Sequence, residues 1–377
     1  MKVTRKKIIP IVAVGVLVLT AFVVFMSLRP KTIVVAFRDI PEKSQNAITK
    51  SIEQYMANQK ISLKVVTLDN LLPVEQQLSQ KPRPDLLISY AGKATDNAVR
   101  LSESREAGIS LECLKDMPNS IKESAIVNND YTFAVPVLMD HYELALSKNP
   151  NGQYPFLFNG NDNHTLLTLA GSIAESNFGG EAAMQLAQDC ASSDLATIPM
   201  MQDIAEIIGN TIISSKMPLS MLDLKENEIS IYMLNIVPDS VFMSLSFHRT
   251  LPFDAVKKYD ATFFPAGHRN RMLIAPIVYG VPLSSKERIN TILNGILCHL
   301  TSYDSQTFLA KEAGLAPVHA NAPTPDIQGN DVRYWVAATN RPLAALADAA
   351  FETDAELNKA AETFRTMILE YVYTNTR

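Results

Sequence analysis

The sequence predicts an α/β protein with two interleaved lobes, preceded by one N-terminal transmembrane helix. Three observations lead to this prediction. The chain has 377 residues, which exceeds one ordinary compact core and suits two lobes. Short β-branched segments alternate with helical stretches over residues 32–89. An uncharged apolar run lies close to the N-terminus.

The apolar run extends from Ile8 to Leu28 and contains no charged residue. At about 1.5 Å per residue it reaches about 30 Å, the thickness of a bilayer core. Basic residues precede it, so we expect the rest of the chain to cross the membrane. An uncleaved anchor is favoured over a cleaved signal peptide because the run ends in bulky residues without a small-x-small site. We therefore expect residues 1–30 to hold the rest of the chain on the extracytoplasmic face of a membrane.

The composition describes an acidic globular body. Hydrophobic residues make up 47% of the chain and charged residues 19%, which excludes a disordered or fibrous protein. The net charge is −5, although the first 30 residues carry five basic side chains and no acid, so residues 31–377 alone carry −10. Phosphate backbones repel such a surface, and nucleic acid is therefore not an expected partner.

The sequence contains no common catalytic or nucleotide-binding motif. Phosphate-binding glycine loops, the Gly-x-Ser-x-Gly elbow and His-Glu-x-x-His are all missing. The six histidines share no short metal-ligand spacing. Cys113, Cys190 and Cys298 are interpreted as small buried apolar residues, with one disulfide in an oxidising compartment as the alternative. We expect no enzyme, no cofactor and no metal.

The first third of the body follows a strand–helix alternation. The predicted strands cover residues 32–37, 61–68 and 85–89, with helical stretches around 48–56 and 74–79. Ile48, Ile52, Tyr55 and Met56 share one helical face. This order is typical of βαβ units on a mostly parallel sheet.

The middle of the chain is less regular. Its predicted elements are extended segments at 131–138 and 142–147, a helical region over 165–213 broken near Gly179 and Pro199, and strands at 230–237 and 272–280.

The clearest helix follows residue 284. An apolar stripe of this helix indicates a buried face; its members are Ile289, Ile292, Leu293, Ile296, Leu297 and Leu300. Ser284 and Glu287 predict a capping box at its start. A second helix over 304–313 is expected to end at Gly314, and residues 342–373 are predicted to be mostly helical.

Two motifs and the element order resemble bacterial extracellular solute-binding proteins of ABC importers, particularly the sugar-binding branch. The first motif is Tyr-Thr-Phe-Ala-Val-Pro-Val at 131–137, followed by an acidic turn. The second spans 280–318, where Gly-Val-Pro-Leu-Ser-Ser-Lys leads into a helix pair that ends in Gly-Leu-Ala-Pro-Val. The resemblance covers residues 31–377 in element order.

The resemblance implies a type II periplasmic-binding-protein-like fold with a hinge and a central cleft. Lobe 1 would contain residues 31–138 and 275–318, and lobe 2 residues 139–274 and 319–377. The implied function is capture of a small polar ligand, a sugar or oligosaccharide, for ABC permease subunits. The alternative is a membrane-anchored envelope sensor or structural interaction protein on the same fold.

The candidate ligand-binding residues follow the ends of the predicted strands, where ligands of such sheets bind. They are Arg38, Asp39, Tyr90, Gly92, Asp140, His141 and Tyr142, together with Trp335. Charged planar groups suit sugar hydroxyls, and aromatic rings suit the faces of a pyranose. For Arg38–Asp39 a solvated ion pair is the alternative; for Tyr90 it is packing over the sheet edge, and for Trp335 a place in the core.

Overall fold

The computed structural model describes most of the chain after residue 30. The described residues are 31–57, 59, 61–128, 130–140, 142–147, 156–214, 216–225, 228, 241–245, 259–263, 272–274, 276–325, 330, 333–334, 336–337, 339 and 341–376. The predicted anchor at 8–28 and the predicted strand at 230–237 lie outside them. Within these ranges, none of the helices combines the length and apolar character needed to cross a bilayer.

The described strands are short and belong to three sheets. In chain order they are β1 (Lys31–Arg38), β2 (Ile61–Thr67), β3 (Leu86–Tyr90), β4 (Ile109–Ser110), β5 (Ile126–Asn128), β6 (Tyr131–Met139), β7 (Tyr142–Ser147), β8 (Phe156–Leu157), β9 (Val241–Leu245), β10 (Tyr259–Phe263), β11 (Met272–Ile274), β12 (Ile277–Pro282), β13 (Ala316–Pro317) and β14 (Arg341–Leu343).

Helices connect and cover these sheets. The described α-helices are α1 (Glu42–Met56), α2 (Val74–Leu78), α3 (Lys93–Ser104), α4 (Asn119–Ser124), α5 (Asn163–Phe178), α6 (Gly180–Ser192), α7 (Pro199–Ile213), α8 (Glu287–Leu300), α9 (Tyr303–Ala313), α10 (Leu346–Ala350) and α11 (Asp354–Asn375). The predicted alternation of strand and helix over residues 32–89 is confirmed.

The largest sheet places three strand ends side by side. Its central order is β13-β6-β12-β3-β1-β2, with β4 and β5 also paired to β6. β1 is parallel to β2 and β3, whereas β12 runs antiparallel between β3 and β6. Val278 of β12 pairs with both Tyr90 and Leu138. The carboxyl ends of β1, β3 and β6 therefore meet at one edge of the sheet.

Buried side chains form two separate cores, which define two lobes. The core of lobe 1 draws on residues between 33 and 139, residues between 277 and 318, and Val336. The core of lobe 2 draws on residues between 158 and 224 and between 343 and 372. The chain thus passes from lobe 1 to lobe 2 and returns, as interleaved lobes require. The limits predicted for each lobe remain a prediction.

The smaller sheets are built from strands that follow β6 in the chain. One has the order β10-β7-β9-β8, and the other pairs β11 with β14 in parallel. The single strand predicted at 272–280 is therefore wrong: β11 and β12 lie in different sheets. Pro276 separates them, and a proline donates no backbone hydrogen bond.

Four of the six predicted stripe residues of α8 are buried and the other two, Ile289 and Ile292, are partly buried against the same core, but the predicted capping box is wrong. Leu293, Ile296, Leu297 and Leu300 have no exposed surface. A capping box requires the acidic residue at the third helical position. Glu287 is the first helical residue, Lys286 is the N-cap, and no side chain caps this end.

Two glycines end helices as the sequence predicts. Gly179 separates α5 from α6 at φ 103°, and Gly314 ends α9 in the left-handed conformation at φ 74° and ψ 24°. Only glycine adopts these angles without steric cost. The prediction that residues 342–373 are mostly helical is confirmed by α10 and α11, and a capping box between Thr353 and Glu356 starts α11 after the break between them.

A disulfide joins Cys113, in the short 3-10 helix Leu111–Leu114, to Cys298 in α8. The favoured interpretation of three unbridged cysteines is therefore wrong for this pair. Cys190 is free and buried, and burial raises the pKa of its thiol to about 12. Both cysteines belong to lobe 1, and the 185-residue separation between them includes residues 158–224 of the lobe 2 core. Sequence spacing could not identify it, because only the fold brings these two residues together.

Glu175 in α5 is an unpaired carboxyl inside lobe 2. It is 2% exposed, and neither of its oxygens has a hydrogen-bond partner. Burial raises the pKa of Glu175 to about 7 from the ordinary 4.5. The folded state therefore favours the protonated carboxyl.

We predict that the stability of the chain falls as the pH rises from about 4.5 to about 7. Water solvates ionised Glu175 in the unfolded chain, whereas the core does not. The difference between the two pKa values corresponds to about 3 kcal/mol of unfolding free energy. Urea unfolding at pH 5 and pH 8 should show a loss that is larger in the wild type than in Glu175→Gln by about this amount, because the titration of His164 contributes equally to both. The exposed Glu181→Gln serves as control. An equal pH dependence in wild type and Glu175→Gln would contradict the assignment.

Candidate ligand-binding cleft

A cavity of about 340 Å³ lies between the lobes, at the edge where β1, β3 and β6 end. Lobe 1 contributes Asp39, Pro41, Tyr90, Asp140 and Pro276. Lobe 2 contributes His164, Ala347, Asp348, Phe351, Glu352, Thr353, Asp354 and Leu357. The lining combines carboxylates, one imidazole and two aromatic rings. We call this cavity the cleft.

Four predicted site residues come together at the cleft. Asp39, Tyr90 and Asp140 line it directly. Gly92 lines a small adjoining recess of about 30 Å³, which also contains Asp39 and Tyr90. These positions are distant in sequence and meet because each follows a strand that ends at the same edge. Their contact with a ligand stays a prediction.

Gly92 is a point of close approach between the lobes. Its φ of 152° and ψ of −170° disfavour any residue with a side chain. A Cβ at this position would lie 2.4 Å from the carbonyl oxygen of Asp348 in α10. The absence of a side chain therefore lets the turn after β3 pack directly against lobe 2.

Arg38 lies beneath the cleft and not on its surface. Its side chain has no exposed surface. The guanidinium donates to the carbonyl oxygen of Leu72 at 2.9 Å and to that of Glu352, and lies 3.5 Å from that of Asn70. Its Nε is 3.5 Å from a carboxylate oxygen of Asp39. Direct ligand contact by Arg38 does not fit this burial, so we assign it to positioning.

Glu352 ties lobe 2 to lobe 1 through both of its carboxylate oxygens. One accepts from the backbone N–H of Val74 at 2.7 Å, and the other from the side-chain amide of Asn97 at 2.8 Å. The backbone N–H of Asp354 donates to the carbonyl of Asn70 at 3.0 Å. Together with Arg38, these bonds fix the segment between α10 and α11 to lobe 1. We call residues 351–354 the tether.

Asp39 occupies a strained backbone position at the cleft. Its φ of 57° lies in the left-handed region, which Asp tolerates better than most residues. The side-chain amide of Asn70 donates to its carboxylate. Burial raises the pKa of Asp39, the Arg38 guanidinium opposes the rise, and the charges of Asp348 and Asp354 add to it.

His164 and Asp348 form an ion pair on the lobe 2 side. The imidazole Nε2 lies 3.0 Å from a carboxylate oxygen of Asp348, with about 30% of each side chain exposed. Burial alone would lower the pKa of His164, but Asp348, with smaller contributions from Asp162 and Asp39, raises it to about 9. At neutral pH the imidazolium is therefore charged and can donate at both ring nitrogens.

The remaining predicted residues are outside the described part or only partly described. His141 and Trp335 lie outside the described residues. The backbone of Tyr142 begins β7 and pairs with Leu245, and its side chain is not described. Across the described ranges, no group of three or more His, Cys, Asp or Glu side chains could hold a metal ion.

Sequence reasoning missed the lobe 2 wall of the cleft. His164, Asp348, Phe351 and Asp354 lie far along the chain from the strand ends that they face. One signal was available: Thr353-Asp354-Ala355-Glu356 has the pattern of a capping box. It marks a new helix start, and hence a turn, within the predicted helical tail.

We predict that Arg38→Met lowers the free energy of unfolding by about 3 kcal/mol. The substitution removes two hydrogen bonds from a charged donor, at about 1.5–3 kcal/mol each, and leaves the carbonyl oxygen of Glu352 without a donor among the described residues. Chemical denaturation of Arg38→Met and of Arg288→Met, an exposed arginine of α8, measures the difference. Arg288→Met should stay within about 0.5 kcal/mol of wild type. Equal stability of the two variants would mean that Arg38 does not fix the tether.

Comparison with known proteins identifies the fold. No family model matches the chain, and no curated protein matches it. The bacterial solute receptor AcbH, described as exclusively preferring β-D-galactopyranose, has a TM-score of 0.69 at 10% identity, covering 90% of this chain and 100% of its own. The binding protein MsmE of Bacillus subtilis, in an open conformation, has a TM-score of 0.64 at 12% identity, covering 93% and 98%.

A chitin oligosaccharide binding protein has the same fold, with a TM-score of 0.61 at 12% identity over 92% of this chain and 100% of its own. Each of these proteins covers nearly the whole described body. The predicted resemblance to solute-binding proteins is thus confirmed for the fold: the chain has their two-lobed α/β architecture.

Proposed function

We propose that this chain captures a small polar ligand, a sugar or oligosaccharide, and presents it to the permease subunits of an ABC importer. One observation carries the proposal: a cavity with polar and aromatic walls lies between two lobes, at the carboxyl ends of the strands. Ligands of open α/β sheets bind at this place. The function requires reversible binding and no covalent step.

The size and chemistry of the cleft support a polar ligand. Its volume of about 340 Å³ lies within the usual range of small-molecule sites. The carboxylates of Asp140 and Asp354 can accept hydrogen bonds from hydroxyl groups, and the His164 imidazolium can donate one. Tyr90 and Phe351 offer aromatic faces on which the apolar face of a sugar ring can stack.

The comparisons support the same ligand class. AcbH prefers β-D-galactopyranose, and the chitin oligosaccharide binding protein is named for its ligand. In a two-lobed fold, ligand binding favours the closed arrangement, in which both lobes contact the ligand. Anchoring by residues 8–28 would keep the closed form near the membrane that holds the permease.

We predict that one sugar class stabilises the full chain in a thermal-shift screen in neutral detergent. The panel should contain sugars, amino acids, peptides and polyamines. A ligand at 100 times its Kd raises the unfolding free energy by about 2.7 kcal/mol, which appears as a higher Tm. A shift by another class would reject a sugar ligand, and no shift across the panel would contradict solute capture.

Two phenylalanine variants test whether the selected ligand occupies the cleft. Phe351→Ala removes an aromatic wall of the cleft and should weaken binding about tenfold, the equivalent of about 1.4 kcal/mol. Phe178→Ala removes a partly exposed ring at the end of α5, outside the cleft, and should bind like wild type. Calorimetric titration of both variants measures the effect. Equal affinities would place the ligand elsewhere.

A further inference from the structure

A second polar cavity lies at the opposite end of the lobe 1 sheet from the cleft. Its volume is about 260 Å³, and Asp85, just before β3, is one of its lining residues. Tyr90 at the other end of β3 faces the cleft, so the two cavities are separated by about 15 Å along the strand. This second cavity is therefore independent of the proposed function.

Three cationic side chains line this cavity: Arg83, Arg105 and Lys286. Arg105 donates to the carbonyl of Leu283 at 3.0 Å and retains its other donors. Within the described residues, Arg83 and Lys286 have no side-chain hydrogen bond or ion pair. Burial and the neighbouring charge of Arg83 both lower the pKa of Arg105. The charges of Arg83 and Arg105 therefore repel each other.

Neutral donors converge on the same space. Ser284 and Ser285 line the cavity, and their hydroxyls make no hydrogen bond to any described residue. The N-terminus of the 14-residue helix α8 follows at Glu287, without a side-chain cap. Its first backbone N–H groups and the positive end of its dipole add to the field of the three cations.

One carboxylate in the lining, that of Asp85, is already engaged. It accepts from the backbone N–H of Val34 at 3.0 Å. Burial raises the pKa of Asp85, whereas the Val34 hydrogen bond and the charge of Lys286 lower it. With Asp85 ionised, the three cations still leave the cavity with two net positive charges.

The cavity lies on the side of lobe 1 where the described chain begins. Val34 of β1 lies level with Asp85, and β1 starts three residues earlier, at Lys31. The predicted membrane segment ends at Leu28. In the sequence, only Arg29 and Pro30 separate that predicted segment from the start of β1.

We propose that Arg83, Arg105 and Lys286, with the Ser284 and Ser285 hydroxyls, bind a phosphate group at this end of lobe 1. Guanidinium forks match phosphate oxygens in pairs, and serine hydroxyls complete the shell of donors. The phosphate belongs to a phospholipid headgroup or to a soluble phosphate. The site is separate from the cleft and does not depend on its ligand.

Calorimetric titration of the full chain in neutral detergent, at fixed ionic strength, tests the site. The probes are inorganic phosphate and glycerophosphoglycerol, the soluble diester headgroup of phosphatidylglycerol. Wild type should bind at least one probe, and Arg83→Gln/Lys286→Gln should bind it at least tenfold more weakly. Lys64→Gln/Lys311→Gln removes two exposed lysines elsewhere in lobe 1 and should stay within twofold of wild type.

The two probes separate the possible sources of phosphate. Binding of the diester indicates a lipid headgroup, and binding of inorganic phosphate alone indicates a soluble ligand; both support the site. If the double variant does not fold, Arg83→Gln alone should weaken binding at least threefold. Wild type that binds neither probe, or variants that bind like wild type, would overturn the proposal. If the cavity bound an acidic protein partner instead of phosphate, wild type would bind neither probe.

Discussion

The buried guanidinium of Arg38 connects the two lobes at the base of the cleft. It donates to carbonyl oxygens on both sides: Leu72 in lobe 1 and Glu352 in the tether. An arginine keeps its charge when it is buried. Its burial therefore costs much free energy unless hydrogen-bond acceptors surround the guanidinium. The ends of β1 and α10 are thus held together by the requirement to satisfy one side chain. The relative positions of the cleft-lining residues of the two lobes depend on this connection.

The tether has a consequence for how the lobes move. Residues 351–354 extend from the core of lobe 2, yet Glu352 bonds Val74 and Asn97 of lobe 1. A segment held by both lobes is where rotation between them would be centred, since hinges are a few residues at the ends of elements. Gly92 permits the same close approach on the opposite side of the recess. The cleft would then open and close around a fixed base that carries Asp39, Asp348 and Phe351.

The sequence predicted much of lobe 1 and one side of the site. Hydrophobic periodicity located β1, β3, β6 and the α8 stripe, because these elements are buried on the side that the pattern marks. The strand-end rule then placed Asp39, Tyr90 and Asp140 at one edge. Arg38 was expected to bind ligand because residue type and position do not reveal burial. Its decisive partner, Glu352, lies 314 residues away along the chain.

Other features depend on contacts that no local pattern encodes. Cys113 and Cys298 approach each other only after α8 packs on lobe 1, and His164 meets Asp348 across 184 residues. Contacts between residues so far apart in the chain cannot be predicted from local residue spacing. At the N-terminus of α8, a local pattern is present but does not form the predicted structure. Ser284 and Glu287 fit the capping pattern, but the helix starts at Glu287, so the serine lies outside it.

The distance between the lobes is the most direct test of ligand capture in the cleft. Double electron–electron resonance can measure this distance between spin labels at Glu53→Cys in α1 and Glu206→Cys in α7, in a Cys190→Ser background. Both labelled positions are exposed. The ligand selected by the thermal-shift screen should shorten the distance and narrow its distribution. An unchanged distribution at saturating ligand would contradict capture by closure of the two lobes.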